Sequence, residues 1–198
     1  AALHHWEEPC LSGDPDAATG SGTVFFCGCT LRCCYCQNFP ISQGSVGKEI
    51  TPERLAGIFL DLQNSGAKNL NLVTASQYLP WVTAALDKAR AQGLALPVVY
   101  NTGGYETVEA VKALAGYVDI WLADYKYADS ALAAELSAAR DYPAVADAAL
   151  RQMLVQTGVP VYDADGYLRK GVIVRHLALP GHVEDSKAVL RRLAALRE

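Results

Sequence analysis

The sequence alternates between short apolar runs and segments with helical periodicity, and this alternation limits the possible folds more than any other feature. Apolar runs predict strands at 23–27, 69–74, 96–100, 117–124 and 171–179. Helical patterns follow at 51–66, 80–92, 106–115, 129–157 (with a break at 141–143) and 185–197. Repeated strand-then-helix units with short connections are typical of parallel strands joined by right-handed crossovers. We therefore predict an α/β fold with parallel strands.

Length, charge and hydropathy limit the class of protein. A chain of 198 residues is long enough for one core, so we predict one domain, 1–198, with a lead-in at 1–22 and β/α units at 23–198. The net charge is −4 and no run of Lys or Arg occurs, which argues against a nucleic-acid surface. No apolar stretch approaches the ~20 residues of a membrane helix. The first residues lack a signal-peptide pattern, so we predict a cytoplasmic protein without membrane partners.

Polar or reactive side chains stand where the predicted strands end. They are Cys29, Thr74, Ser76, Asn101, Thr102, Asp124, Lys126, Arg175 and His176. In parallel β/α folds the ligand lies at the carboxyl ends of the strands. We therefore expect these side chains to converge on one edge of the sheet, although the sequence does not show which strands are neighbours.

Five of the six cysteines lie within ten positions, in the stretch FFCGCTLRCCYCQN. Cys29, Cys33 and Cys36 have the spacing C-x3-C-x2-C, and a loop of this length can wrap three thiolates around one iron–sulfur cluster. Three ligands would leave one iron of a four-iron cluster open, and an open coordination position is what distinguishes a catalytic metal site from a structural one. Zinc is the alternative; the second cysteine pair of a zinc ribbon is missing, although His4 and His5 are available.

The remaining cysteines have less specific interpretations. Cys34 is adjacent to Cys33 and would reach the same cluster with difficulty, which favours a spare thiol. Cys27 is two residues before Cys29, so it could pack against the cluster or ligate it; packing is the favoured interpretation, because free cysteines are commonly buried. Cys10 is expected to be a core or loop residue.

The cysteine motif, with the aromatic Tyr35 before its last cysteine and its position at the tip of the first strand, resembles the radical S-adenosylmethionine superfamily. Flanking segments resemble a subgroup of uncharacterised iron–sulfur proteins similar to pyruvate formate-lyase activating enzyme. These segments are EEPCLSG (7–13), GSGTVFF (20–26), YCQN (35–38), VVYNTGGYE (98–106), DIWLADYKY (119–127) and VRHLALPGH (174–182). The likeness extends from about His4 to the last helix.

The resemblance implies a partial (β/α) barrel of the radical S-adenosylmethionine type, truncated here at both ends. Relatives carry an N-terminal segment with further cysteines and at least one more β/α unit. The implied cofactors are a [4Fe-4S] cluster held by Cys29, Cys33 and Cys36, and S-adenosylmethionine bound to the fourth iron. The reduced cluster cleaves the sulfonium reductively, and the resulting 5′-deoxyadenosyl radical removes a hydrogen atom from the substrate.

The resemblance also implies roles for the strand ends, beginning with the cysteine loop and the second strand. Tyr35 would lie near the adenine, and a core aromatic is the alternative interpretation. Relatives end the second strand with a Gly-Gly-Glu-Pro type segment that contacts the amino group of the cofactor. This chain has Thr74-Ala75-Ser76-Gln77 there, so the hydroxyls of Thr74 and Ser76 are the remaining candidates.

The later strands supply the rest of the implied cofactor contacts. Asn101 and Thr102 would lie near the ribose or a bound cation, and Asp124 and Lys126 form an Asp-x-Lys in which the lysine would bind cofactor oxygens. Arg175 suits the methionine carboxylate, because a guanidinium forks onto carboxylates. His176 is either a cofactor contact or a core histidine. Glu7 and Glu8 are either solvated acids or neighbours of the same edge.

The leading interpretation is therefore a radical S-adenosylmethionine oxidoreductase, with the installation of a glycyl radical on a partner protein as its candidate reaction. The same radical initiation on another peptide or a small molecule is the second interpretation. The sequence also permits a non-enzymatic iron–sulfur electron carrier or a zinc-stabilised binding module. By the habit of the family, the electron donor would be a reduced flavodoxin or ferredoxin.

Overall fold

The structure is a computed structural model that describes residues 1–14, 19–44 and 46–196. Its strands are β1 (Ala2–His4), β2 (Gly20–Phe25), β3 (Ala67–Val73), β4 (Val98–Thr102), β5 (Ile120–Asp124), β6 (Val161–Tyr162) and β7 (Leu168–Arg175). Its helices are α1 (Pro9–Ser12), α2 (Phe39–Ser42), α3 (Pro52–Asn64), α4 (Leu79–Ala91), α5 (Val108–Ala113), α6 (Ser130–Ser137), α7 (Tyr142–Thr157) and α8 (Val183–Ala195).

The strands form one seven-stranded sheet in the order β1-β2-β3-β4-β5-β7-β6. The five predicted strands, β2, β3, β4, β5 and β7, are its parallel centre, which confirms the α/β prediction. The short strands β1 and β6 were not predicted; both are antiparallel and lie at the edges. No ladder joins β1 to β6 within the described residues, so the sheet is open there.

The helices follow the predicted segments closely. Thr51 caps α3, because its hydroxyl accepts a hydrogen bond from the Arg54 amide. The predicted break at 141–143 separates α6 from α7. The last helix ends at Ala195, and the predicted end at residue 197 lies outside the described residues.

The two faces of the sheet are covered by different parts of the chain. One face carries side chains such as Leu72, Tyr100 and Trp121, and these pack against α3 to α8 in the main core. The opposite face carries Val99 and Leu122, which pack with Leu11 from the lead-in. Because alternate residues of a strand point to opposite faces, one strand serves both layers. Helices α3 to α8 therefore cover one face, and the opposite face carries the lead-in with its short helix α1.

The described residues of the lead-in, 1–14 and 19–22, are an integral part of the fold. Strand β1 pairs with β2, and β2 itself begins at Gly20, inside the predicted lead-in. Between β1 and β2 the lead-in crosses the face opposite to α3–α8, where Asn69 donates to the Leu11 carbonyl (2.8 Å) and Asn71 donates to Glu7 Oε1 (3.1 Å). The alternating Asn and Leu of β3 thus place amides toward the lead-in and leucines toward the helices.

Within the described part of the chain, we find no helix with the length and apolar character needed to cross a bilayer.

Candidate functional site

The cysteine loop, residues 27–37, follows β2 and is attached to two segments that are remote in the sequence, the end of α6 and the segment after β3. The amides of Arg32 and Cys34 donate to the carbonyls of Ser137 (3.0 Å) and Leu136 (2.9 Å), at the C-terminus of α6. These carbonyls have no partner inside their own helix, so the loop supplies the missing donors. Gln77, beyond β3, donates to the carbonyls of Cys27 (2.7 Å) and Gly28 (2.9 Å).

Within the C-x3-C-x2-C motif, Cys29 lies near enough to Cys33 and Cys36 for them to affect the pKa of its thiol. Burial raises the pKa of the Cys29 thiol, and Cys33 and Cys36 raise it further, whereas the Leu31 amide and the Lys126 ammonium oppose this effect. Hydroxyls lie against the other two sulfurs: Ser137 Oγ is 2.9 Å from Cys33 Sγ, and Ser42 Oγ is 3.3 Å from Cys36 Sγ.

Within the described residues, no three His, Cys, Asp or Glu side chains converge closely enough to hold a metal ion. Ligation of a cluster by Cys29, Cys33 and Cys36 therefore stays a prediction.

The cysteines outside this motif have separate surroundings. Cys27 donates to the Val46 carbonyl (2.6 Å) and lies against Gly47, so its thiol is engaged away from the three-cysteine group. Cys34 is exposed, and Cys10 packs at the margin of the core formed around Leu11. The positions of Cys34 and Cys10 agree with the interpretations of a spare thiol and of a core or loop residue, whereas packing of Cys27 against a cluster stays a prediction.

Four predicted residues and one from the lead-in form a hydrogen-bonded group, the strand-end network. Its members are Glu7, Asn101, Asp124, Lys126 and Arg175. Arg175 Nη2 donates to Asn101 Oδ1 (2.7 Å), and its Nε donates to Asp124 Oδ1 (3.0 Å). Lys126 Nζ donates to Asp124 Oδ2 (2.6 Å). Arg175 Nη1 is 3.6 Å from Glu7 Oε2. The ends of β4, β5 and β7 therefore meet at one edge, as predicted.

The charges in this network are partly desolvated. The Lys126 side chain is 15% exposed, so it is not a solvated surface lysine. Burial lowers the pKa of Lys126, but the adjacent Asp124 carboxylate outweighs it and the net shift is upward. Burial raises the pKa of Glu7, although Arg175 and the Asn71 amide act in the opposite direction. The strand-end network is thus a fixed arrangement of two cations and two acids around Asn101.

A cavity of about 670 Å³ opens beside the network. Its lining comprises His4, Trp6, Glu7, Phe25, Gln37, Asn38, Ile41, Val73, Asn101 and Arg175. The lining combines the lead-in, the end of the cysteine loop and the ends of parallel strands. The Trp6 side chain is 81% exposed. This is where a ligand would meet both the cysteine loop and the network.

Glu106 is a buried acid to which sequence reasoning assigned no role. Its Oε1 accepts hydrogen bonds from Ser76 Oγ (2.6 Å) and Thr102 Oγ1 (2.5 Å), and burial raises its pKa. Gly104, at φ +78°, lies against the Asp124 carbonyl, where a Cβ would collide. The Ser76 and Thr102 hydroxyls are therefore directed to Glu106. The sequence NTGGYE (101–106) indicated this arrangement, because its two glycines permit a tight turn that brings Glu106 back to Thr102.

Thr74 has an unusual backbone conformation at the end of β3. Its φ is +58°, in the left-handed region that a β-branched residue rarely adopts. Its amide donates to the Asn101 carbonyl (2.9 Å), and its own carbonyl accepts from Gln77 (3.1 Å). Strained backbone of this kind concentrates at functional sites. The resemblance implies a glycine at this position, and glycine adopts this conformation readily. This chain has Thr74 there instead.

Tyr35 and His176 have their polar atoms directed into the protein. The Tyr35 hydroxyl is hydrogen-bonded to Tyr127, and burial raises the pKa of Tyr35 well above its ordinary value. His176 contacts the Tyr125 carbonyl through Nδ1 (2.7 Å) and Ser186 Oγ through Nε2 (2.9 Å). His176 thus links the segment after β5 to α8, and the structure does not bring it together with Arg175. The cofactor contacts of both residues stay predictions.

A comparison with protein-family models found no match. Over 179 residues the chain is 31% identical to an uncharacterised protein of Methanocaldococcus jannaschii. The aligned region covers 87% of this chain and 48% of that protein. The chain thus spans about half the length of the curated relative it matches. Because that relative is uncharacterised, the similarity assigns no activity to this chain.

Proposed function

We propose that the chain is the core of a radical S-adenosylmethionine enzyme with a partial (β/α) barrel. The observation that carries the proposal is the position of the C-x3-C-x2-C loop. The loop follows β2, and its Leu31 lies against Gly103 together with Lys126 of the strand-end network, so the loop and the network share one edge of the sheet. Helices α3 to α8 on one face of the sheet also fit a partial barrel, whose inner face here holds the lead-in.

The residues present fit a thiolate-bound cluster. Each thiolate of a four-iron cluster binds a different iron, so the three sulfurs surround the cluster rather than one ion. Cys29, Cys33 and Cys36 lie on one loop, and Lys126 places a positive charge beside Cys29 and Cys33. Ser137 Oγ donates to Cys33 Sγ. Thiolates, a nearby cation and a hydroxyl donor suit an anionic cluster.

When bound and reduced, the cluster supplies the electron that cleaves the sulfonium of S-adenosylmethionine. The residues of this chain hold and orient the reactants. Cys29, Cys33 and Cys36 would hold the cluster, and the cavity beside Arg175 and Asn101 would receive the cofactor. Asp124 occupies one donor of the Arg175 cation and one of the Lys126 cation, so their remaining donors determine where a carboxylate can bind.

The substrate and partners belong to the same proposal. Installation of a glycyl radical on a partner protein is the candidate reaction, in the cytoplasm, with reduced flavodoxin or ferredoxin as the electron donor. Radical initiation on another peptide or on a small molecule is the second candidate. The exposed Trp6 at the cavity favours a partner that buries an aromatic ring.

The test is anaerobic reconstitution of the full chain with iron and sulfide, followed by reduction in the presence of S-adenosylmethionine. We expect a brown charge-transfer absorption and the formation of 5′-deoxyadenosine and methionine. An electron carrier would cycle electrons without consuming S-adenosylmethionine. A zinc module would lack the absorption altogether. Either outcome would overturn the proposal.

A further inference from the structure

Three hydroxyl side chains form a hydrogen-bonded chain that ends on Cys33. The Tyr35 hydroxyl bonds to the Tyr127 hydroxyl, Tyr127 bonds to Ser137 Oγ (2.6 Å), and Ser137 bonds to Cys33 Sγ (2.9 Å). Tyr127 and Ser137 are almost completely buried, at 0% and 1% exposure. Solvent therefore does not compete for the central hydrogen bond, between Tyr127 and Ser137.

The direction of the protons along this chain follows from the chemistry of its ends. A cysteine that ligates iron is a thiolate, which accepts hydrogen bonds and donates none. Each hydroxyl has a single proton. If Ser137 donates to Cys33, then Tyr127 must donate to Ser137, and Tyr35 must donate to Tyr127. Hydrogen bonds aligned in this way polarise one another, so the last of them is strengthened.

The backbone fixes Ser137 at this place. Ser137 is the last residue of α6, and its carbonyl accepts from the Arg32 amide (3.0 Å), while the Leu136 carbonyl accepts from the Cys34 amide (2.9 Å). The residues before and after Cys33 are thus attached to the same helix end that carries the hydroxyl. The distance from Ser137 Oγ to Cys33 Sγ is set by this attachment rather than by a mobile side chain.

We propose that Tyr35, Tyr127 and Ser137 form a relay of ordered hydroxyls that raises the reduction potential of the cluster through Cys33. Reduction adds negative charge to the cluster, and a hydroxyl donor on a ligating sulfur stabilises that charge; hydrogen bonds to the sulfurs are among the factors that set such potentials. Ser137 is a positioning residue in this scheme. The proposal rests on the proposed function, because it requires a cluster at Cys33.

The test is an anaerobic redox titration of the reconstituted full chain, followed by absorption and by the electron spin resonance of the reduced state. For Ser137→Ala we expect the equilibrium constant of one-electron reduction to fall about tenfold, which is a shift of about 59 mV to more negative potential. Tyr127→Phe should shift it in the same direction by less. The matched control is Ser65→Ala, because the Ser65 hydroxyl bonds to the Asp61 carbonyl, on α3 and away from the cysteine loop.

The double variant makes the relay itself testable. Tyr127 acts only through Ser137, so Ser137→Ala with Tyr127→Phe should have the potential of Ser137→Ala alone. Fully additive shifts, or a Ser137→Ala potential equal to that of Ser65→Ala at equal cluster content, would overturn the relay. Failure of the wild-type chain to bind a cluster would overturn the relay and the proposed function together. A shifted potential without cleavage of S-adenosylmethionine would overturn the proposed function alone.

Discussion

The cysteine loop and the strand-end network lie at the same edge of the sheet but are held in different ways. The loop is attached mainly through backbone groups, to Gln77 and to the end of α6. The network is held by side-chain charges, with Arg175 and Lys126 both bonded to Asp124. The comparison indicates that the loop geometry tolerates side-chain changes next to its ligands, whereas the network depends on each charged partner.

The largest expected effect lies within the cysteine loop. Under the proposed function, Cys36→Ala removes a cluster ligand and should abolish formation of 5′-deoxyadenosine. The matched control is Cys34→Ala in the same loop, which should keep most of the activity. Cys34 is exposed, and only its backbone amide helps to attach the loop to the end of α6. The measurement is product formation together with the iron content. A requirement for Cys34 but not Cys36 would refute the assignment of ligands.

The network should respond strongly to loss of its central cation. Arg175→Met leaves the Asp124 carboxylate and the nearly buried Glu7 without their guanidinium partner, so we expect the free energy of unfolding to fall by about 2 kcal/mol. The matched control is Arg169→Met on the same strand, whose ion pair with Asp163 is long (3.8 Å) and exposed. It should cost less than about 0.5 kcal/mol. Equal losses in urea denaturation would show that the network adds no stability.

The buried carboxyl of Glu106, which accepts hydrogen bonds from two hydroxyls, should make the stability of the protein depend on pH. Burial raises the pKa of Glu106 above 4.5, the ordinary value that applies to the unfolded chain. The folded state then holds the proton more tightly, so stability should fall as pH rises from 4.5 through the raised pKa and should level off above it. Glu106→Gln keeps an acceptor for Ser76 and Thr102 but cannot ionise.

We therefore expect Glu106→Gln to weaken the pH dependence of urea unfolding and to be more stable than wild type at about pH 7. The matched control is Glu109→Gln, at an exposed position of the following helix, which should leave the pH dependence unchanged. An unchanged slope for Glu106→Gln between about pH 4 and 7 would contradict the assignment of a raised pKa.

The smallest expected effect concerns the backbone at Thr74. Thr74→Gly should relieve about 1 kcal/mol of strain at φ +58°, and the greater freedom of Gly in the unfolded chain offsets about 0.5 kcal/mol of it. The net gain of about 0.5 kcal/mol can be measured as a shift of the urea midpoint. Thr74→Ala keeps a Cβ and should show no such gain; an equal gain in both variants would exclude strain as the cause.

Much of the fold could be predicted from local patterns. The alternation of strand and helix predicted the five parallel strands, because period 2 and period 3.6 are properties of neighbouring residues. Strands β1 and β6 were missed, because they are only three and two residues long, too short to show a period-2 pattern. They are strands because they pair with a neighbour at the edge of the sheet.

The sequence predicted which residues belong to the candidate site, but it did not predict which of them form hydrogen bonds and ion pairs with each other. The positions of Asn101, Asp124 and Arg175 at strand ends indicated that they would meet. The sequence left open whether Glu7 joins them from the lead-in. It did not indicate that Glu106 engages Ser76 and Thr102, or that His176 turns to the helix side. Which polar groups pair depends on distances between segments remote in the chain.

The sequence alone determined the order of the main strands and helices, the three-cysteine spacing and the choice of residues that end the strands, because each is written in consecutive positions. The tertiary structure decided that the lead-in covers the face opposite to α3–α8 and that the end of α6 holds the cysteine loop. It also decided that a buried hydroxyl lies against Cys33. These features depend on packing and on the partnering of buried polar groups, which bring together residues up to about a hundred positions apart.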